Sequence, residues 1–117
     1  MLEACIHQFL ERLKKNRSLK PLYRNADFCV ALEGKNSRFL IAIDKEGCRL
    51  LPNEAKADVM ISGKEKDLIH LLEGKERLLS MMQRQALTAK GTYRRLLKVE
   101  SLFLLNGTER FLIYQLS

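Results

Sequence analysis

The chain has 117 residues, 46% of them hydrophobic, and carries 21 lysines and arginines against 14 aspartates and glutamates, for a net charge of +7. Such a length buries about two-thirds of the unfolded surface around one core, so a single domain over residues 1–117 is expected and a disordered chain is excluded. No apolar run approaches the roughly 20 residues needed to span a bilayer, and Glu3 and Glu11 interrupt the apolar pattern of residues 1–13, which argues against a signal peptide.

Residues 1–15 read as an amphipathic helix. Leu2, Cys5, Ile6, Phe9, Leu10 and Leu13 recur at helical spacing, while Glu3, Gln8, Glu11, Arg12 and Lys15 fill the other face. Acidic residues lead and basic residues close it, which suits the helix dipole. Residues 16–25, with Pro21, read as a linker. Residues 27–33 alternate as a strand, with Phe28, Val30 and Leu32 on one face and Cys29 and Ala31 on the other. Gly34-Lys35-Asn36-Ser37 forms a hairpin turn. The return strand, residues 38–44, sets Phe39, Ile41 and Ile43 against Leu40 and Ala42. A second turn, Asp44-Lys45-Glu46-Gly47, leads to a short third strand over residues 48–51, which Pro52 stops.

Residues 53–56 are polar. Residues 57–61 form a fourth strand with Val59 and Ile61 inward. Ser62-Gly63-Lys64-Glu65 has the S-x-x-E spacing of a capping box. The helix it starts carries Leu68, Ile69, Leu71 and Leu72, and Gly74 ends it in a left-handed cap. A second short helix, about residues 75–83, carries Leu78, Leu79, Met81 and Met82. A fifth strand covers residues 86–90; Gly91 breaks it, and Thr92 caps a last helix over residues 93–105. That helix is apolar around much of its circumference. Tyr93, Leu96, Leu97 and Leu104 share a stripe, Phe103 lies beside it, and Val99, Leu102 and Leu105 widen the patch. A helix apolar on more than one side needs more than one apolar neighbour: a sheet, other helices or a ligand. Residues 109–116, with Phe111, Ile113 and Tyr114, read equally as a strand or a helical turn.

The three cysteines, Cys5, Cys29 and Cys48, are far apart, and no Cys/His cluster accompanies them. Buried thiols in a reduced, cytoplasmic setting are expected, with no metal site and no cofactor. Catalysis finds little support. There is no Ser/His/Asp set, nucleophile elbow, phosphate loop or dinucleotide fingerprint, so the chain reads as no enzyme. His70 reads as a core or boundary residue, His7 as exposed, and Asp44, Asp58 and Asp67 as turn and edge residues. Glu100, near the apolar stripe of the last helix, is expected to pair with an arginine or to reach water. The basic residues are spread out and no aromatic stacking platform accompanies them, so nucleic acid has no motif behind it.

Several stretches carry a likeness to known proteins. They are Arg38-Phe39-Leu40-Ile41-Ala42-Ile43-Asp44-Lys45-Glu46-Gly47, then Ala57-Asp58-Val59-Met60-Ile61 and Asp67-Leu68. Leu71-Leu72-Glu73-Gly74-Lys75, Leu87-Thr88-Ala89-Lys90-Gly91 and Leu96-Leu97-Lys98-Val99-Glu100-Ser101-Leu102-Phe103 complete the set. Their order and spacing, over about residues 27–105, resemble the sterol carrier protein type 2 family. Two departures stand out. Gln85-Ala86 occupies positions where the family often has Gly-Lys, and Thr92 follows the strand-ending glycine where an acidic residue is common.

The resemblance implies an α+β fold: a five-stranded, mainly antiparallel sheet with helices packed on one face and a hydrophobic tunnel between the layers. Members of that family bind sterols, fatty acids, fatty acyl-coenzyme A or phospholipids; some are fused accessory domains of enzymes and some serve quinone biosynthesis. The expected function is non-catalytic carriage of an apolar molecule, a fatty acid or fatty acyl-coenzyme A before a sterol. The expected tunnel lining is Leu68, Leu72, Leu78, Leu79, Met81, Met82, Leu96, Leu97 and Phe103. Methionines on a helix are otherwise ordinary core, and flexible gap-fillers where varied chains must fit. Arg94, Arg95 and Lys98 form either a rim for a carboxylate or phosphate head group, or a solvated helix face. Two other classes stay open. One is an accessory module docking on a partner enzyme or on a second copy of itself. The other is a salt-sensitive binder of nucleic acid or of an anionic membrane surface.

Overall fold

Period-two alternation of β-branched and aromatic residues builds five strands: β1 (Asp27–Glu33), β2 (Arg38–Asp44), β3 (Gly47–Leu51), β4 (Val59–Gly63) and β5 (Leu87–Lys90). The computed structural model describes residues 1–52 and 56–108; the segment expected as strand or helical turn, residues 109–116, lies outside them. The strands form one sheet in the order β3-β2-β1-β4-β5. Tight turns make β1, β2 and β3 an antiparallel meander, and β5 runs antiparallel to β4. Only the central pair, β1 with β4, is parallel.

Register puts the bulky residues on a common face. Val30 lies between Ile41 and Val59, and Leu32 between Phe39 and Ile61. Phe28 and Ile43 continue that face, as the alternation predicts. The smaller face carries the cross-strand row Leu51, Leu40, Ala31 and Met60. All the strand residues in the main core come from the bulky face, and the helices cover it. These are α1 (Leu2–Lys15), a 3-10 turn (Arg17–Leu19), α2 (Lys20–Tyr23), α3 (Glu65–Leu72), α4 (Leu78–Gln83) and α5 (Tyr93–Leu105). The architecture is the expected α+β one, with a mostly antiparallel sheet.

Local chemistry departs from expectation at three points. The linker of residues 16–25 is a packed wall: Pro21 sits in the first turn of α2, where its missing N–H costs nothing, and Leu19 and Tyr23 are buried. The capping box does not form. Ser62 is still in β4, opposite Glu33, and its hydroxyl donates to the Glu33 carboxylate at 3.4 Å. Lys64 takes the cap position of α3, and Glu65 instead accepts the Leu2 N–H at 2.9 Å, serving the start of α1. The helix after Gly74 begins at Leu78 rather than at residue 75, because Gly74 and Lys75 are used to close α3. Gly74 has φ +71°, its N–H donates to the Leu71 carbonyl and the Lys75 N–H to the His70 carbonyl, the double bond of a Schellman end.

The C-terminal ends of α3 and α5 meet α1 in a buried knot. The Asn106 amide donates to the Phe9 carbonyl at 3.0 Å. Arg12 reaches across to both helix ends, donating from Nε to the Asn106 carbonyl (3.0 Å) and from Nη2 to the Leu72 carbonyl (3.2 Å). Gly107 and Gly74 pass so closely that a Cβ on Gly74 would lie 2.7 Å from the Gly107 Cα. The two Arg12 bonds satisfy carbonyls that a helix leaves without partners at its C-terminus.

Candidate functional site

The apolar candidates converge from three helices. α3 supplies Leu68 and Leu72; α4 supplies Leu78, Leu79, Met81 and Met82; α5 supplies Leu96, Leu97 and Phe103. Leu68, Leu72, Leu78, Met81, Leu96 and Phe103 are buried in the main core, whereas Leu79, Met82 and Leu97 are half-buried. Phe103 goes deepest, edge-on to Phe9 of α1 with ring centroids 4.9 Å apart. The nine side chains therefore form a graded layer, solid toward α1 and partly open along α4 and the outer side of α5.

α4 has six residues and no side-chain cap of its own. Glu100 supplies one from α5: its Oε2 accepts the Leu79 N–H at 2.9 Å. Among the described residues, Glu100, only 8% exposed, therefore has a backbone N–H of another helix rather than an arginine as its partner, which no sequence spacing reveals. The other end of α4 is tied by side chains. Arg84 grips Glu76 with three hydrogen bonds of 2.8–3.2 Å. His70 of α3, half-exposed as a boundary residue, places Nε2 3.3 Å from the same carboxylate. The Arg84 bonds, with the charge of Arg84 and then His70, hold the Glu76 carboxyl below the usual range.

The three basic candidates share one cleft of about 650 Å³, lined by Arg94, Arg95, Lys98, Thr92 and residues 25–28. Residues 25–28 belong to the start of β1, 64 or more positions earlier, and only the packing of α5 on the sheet joins them. Arg95 lies over the Phe28 ring at 5.9 Å and 3.8 Å from Asp58. Asp58 in turn accepts the Cys29 N–H at 2.9 Å. The Thr92 hydroxyl caps α5 as expected, accepting the Arg95 N–H at 3.3 Å. Three cations and the carboxylate of Asp27 line the cleft, and Arg95 is also drawn toward Asp58.

A separate cleft of about 520 Å³ opens at the C-terminal ends of β1 and β4, between Lys35, Lys64 and Gln85. Gln85 has φ +63°, which explains why glycine suits that position in the resembling family. Glu33 in this cleft is engaged by Ser62 and lies 3.6 Å from Arg38. Among the described residues, no three His, Cys, Asp or Glu side chains gather in a metal-holding group. No described helix is long and apolar enough to cross a membrane.

Comparison with known proteins gives a consistent picture. The model of a family described as the SCP-2 sterol transfer family matches residues 6–104. The SCP2 domain-containing protein YusD of Bacillus subtilis (strain 168) is 28% identical over 102 residues, covering 86% of this chain and 90% of that protein. A solved structure of a UbiJ-SCP2 ubiquinone synthesis protein superposes with a TM-score of 0.69 at 18% identity, covering 88% of each chain. A crystal structure of sterol carrier protein 2 superposes with a TM-score of 0.65 at 19% identity, covering 88% of this chain and 90% of the other.

Proposed function

This chain belongs to the SCP-2 sterol transfer family, and on that premise we propose that it is a non-catalytic carrier of an apolar, lipid-like molecule held between the helices and the sheet. The observation that carries the reading is that one helix, α5, carries both part of the graded apolar layer, Leu96, Leu97 and Phe103, and the cations of the cleft. An amphiphile needs both: apolar enclosure for its chain and a cationic rim for its head. Leu68, Leu72, Leu78, Leu79, Met81, Met82, Leu96, Leu97 and Phe103 take the chain in this proposal, and Arg94, Arg95 and Lys98 take the head. A fatty acid or fatty acyl-coenzyme A fits better than a sterol, because the layer is mostly flexible side chains rather than rigid rings. Burying about 16 carbons yields on the order of 12 kcal/mol at about 0.8 per CH₂. Ordering and incomplete enclosure reduce this to micromolar binding. The mechanism is passive: helices part, the chain enters, and the head stays at the rim. A cytoplasmic setting belongs to the same proposal.

Mass spectrometry of the purified protein, native and then after organic extraction, tests it. A stoichiometric co-purified lipid is expected. An empty protein that also fails to take up fatty acids, acyl-coenzyme A and sterols sinks the reading. The likeness to a protein named for ubiquinone synthesis favours a second one, an accessory module with a filled core docking on an enzyme or on itself. A stable assembly across a concentration series, with no lipid bound, would select that alternative.

A further inference from the structure

Of the three helices that supply the apolar layer, α4 is fastened least. It buries two side chains, Leu78 and Met81, against three in α3 and five in α5. Among the described residues, no backbone hydrogen bond of residues 76–84 reaches past Ala86. Two side-chain contacts tie the segment to other helices: the Glu100 carboxylate of α5 at the Leu79 N–H, and His70 of α3 beside Glu76. Asp67 of α3 adds a longer-range attraction for Arg84. The strongest polar contact of the segment is internal. Glu76 and Arg84, on either side of α4, share three hydrogen bonds of 2.8–3.2 Å and staple its two ends together. Just outside the staple the backbone is left-handed at Gly74 (φ +71°) and Gln85 (φ +63°). Beyond those points the chain is fixed. Gly74 is wedged against Gly107, the Glu73 carbonyl accepts the Thr108 N–H at 3.1 Å, and Leu87 pairs with Gly63 in the sheet.

We propose that residues 76–84 are a lid, which swings outward as one piece to admit and release the apolar ligand, with the Glu100–Leu79 bond as its clasp. The inference rests on the carrier reading and names the part that moves when the helices part. The staple keeps the segment whole, and its joined ends set one short hinge line between Lys75 and Gln85. Rotation about that line breaks the Glu100 bond and the His70 contact, and draws Leu78 and Met81 from the core. It breaks no backbone hydrogen bond of another element. Only two side chains leave the core, so the apolar area uncovered is small and the opening is local. α4 packs on β5 and α5. Its departure therefore opens the layer where Leu79, Met82 and Leu97 are already half-buried. α1, α3 and the end of α5 are poorer candidates for the moving part, because the bonds of Arg12 and Asn106 join all three.

Stopped-flow transfer of a pyrene-labelled dodecanoic acid between the protein and phosphatidylcholine vesicles tests it. Glu100→Ala loses a hydrogen bond to a charged acceptor, so uptake and release rates should rise together by about tenfold, with Kd changed by less than about threefold. His70→Ala, outside the apolar layer, should raise both rates by about threefold. Asn106→Ala weakens the fold in the knot rather than at α4, and should leave both rates within about twofold of the wild type. Hydrogen exchange gives a readout that needs no ligand. The amides of residues 81–86 should open with one common constant, at least about tenfold above that of α1. Arg84→Ala should split that opening into separate ones. Unchanged transfer rates in folded Glu100→Ala and His70→Ala variants overturn the proposal. So does an equal rise in Asn106→Ala, or independent opening of those amides in the wild type. The mass-spectrometric test is separate: a lipid-loaded protein whose transfer rates ignore Glu100 removes this inference alone, and an empty protein whose residues 81–86 open together removes only the carrier reading.

Discussion

Asn106 does more than end a helix. It is fully buried, and its side-chain amide satisfies the Phe9 carbonyl while its own carbonyl takes the Arg12 guanidinium. Asn106→Ala removes this buried hydrogen bond while the Phe9 carbonyl keeps its place in the α1 ladder, so urea denaturation should show a loss of about 0.5–1.5 kcal/mol. Cys48 gives a second residue-level outcome. Burial pushes its thiol up to about 12, and Asp44 adds to the shift. The folded state therefore keeps the proton that the unfolded chain releases near the ordinary thiol value of about 8.5. Its stabilising contribution is full below that value and is lost as pH rises toward about 12. Stability of the wild type should fall across that window, and Cys48→Ala should flatten the fall. Native Cys48 should also resist alkylation at about pH 8, where its thiolate is scarce. The sequence suggests three small buried thiols; in the structure all three are half-buried, with Cys5 and Cys48 packed against the main core.

At the scale of elements, α4 is the piece whose existence depends most on its neighbours. Six residues without a cap are too few to be helical alone. Leu78 and Met81 anchor it to the core, the Glu100 carboxylate closes its first turn, and Arg84 at its far end reaches back to Glu76 ahead of its start. Glu100→Ala orphans the Leu79 N–H, at a cost of about 1–3 kcal/mol. Hydrogen exchange should locate that loss in the amides of residues 78–83, with α1 unaffected. Glu100→Gln retains an acceptor and should recover much of it. The element types and most boundaries were legible because apolar periodicity and the Gly74 and Thr92 signals are local. Failures came where a local signal was outbid from elsewhere in the fold. The Ser62 capping box lost to pairing with Glu33 in the sheet, and residues 16–25 with Pro21 read as a linker although a first helical turn accepts proline.

At the scale of the molecule, one sheet face and three helices define the layer proposed to take a ligand. Burial within that layer decides which substitutions inform. Leu68 and Phe103 are fully buried, so making them polar unfolds the protein and tests nothing about binding. Met82 and Leu97 are half-buried and tolerate the change. The double substitution Leu97→Gln with Met82→Gln should keep a cooperative unfolding transition while reducing fatty-acid uptake severalfold. Unchanged uptake by the folded variant would remove both side chains from the site.

The sequence by itself determined the five strands, the helices α1, α3, α4 and α5, the bulky and small faces of the sheet, and the apolar excess of α5, because each is written in residues a few positions apart. The cations of α5 could be named as candidates for the same reason. Only the tertiary structure decided that β4 lies parallel to β1, and that Glu100 caps α4. It alone joined the α5 cations to residues 25–28 in one cleft, and left Tyr93 exposed. Those outcomes depend on groups distant in sequence meeting across packed layers. Burial and hydrogen bonding there are set by the competition among all neighbours at once, which no single stretch of chain encodes.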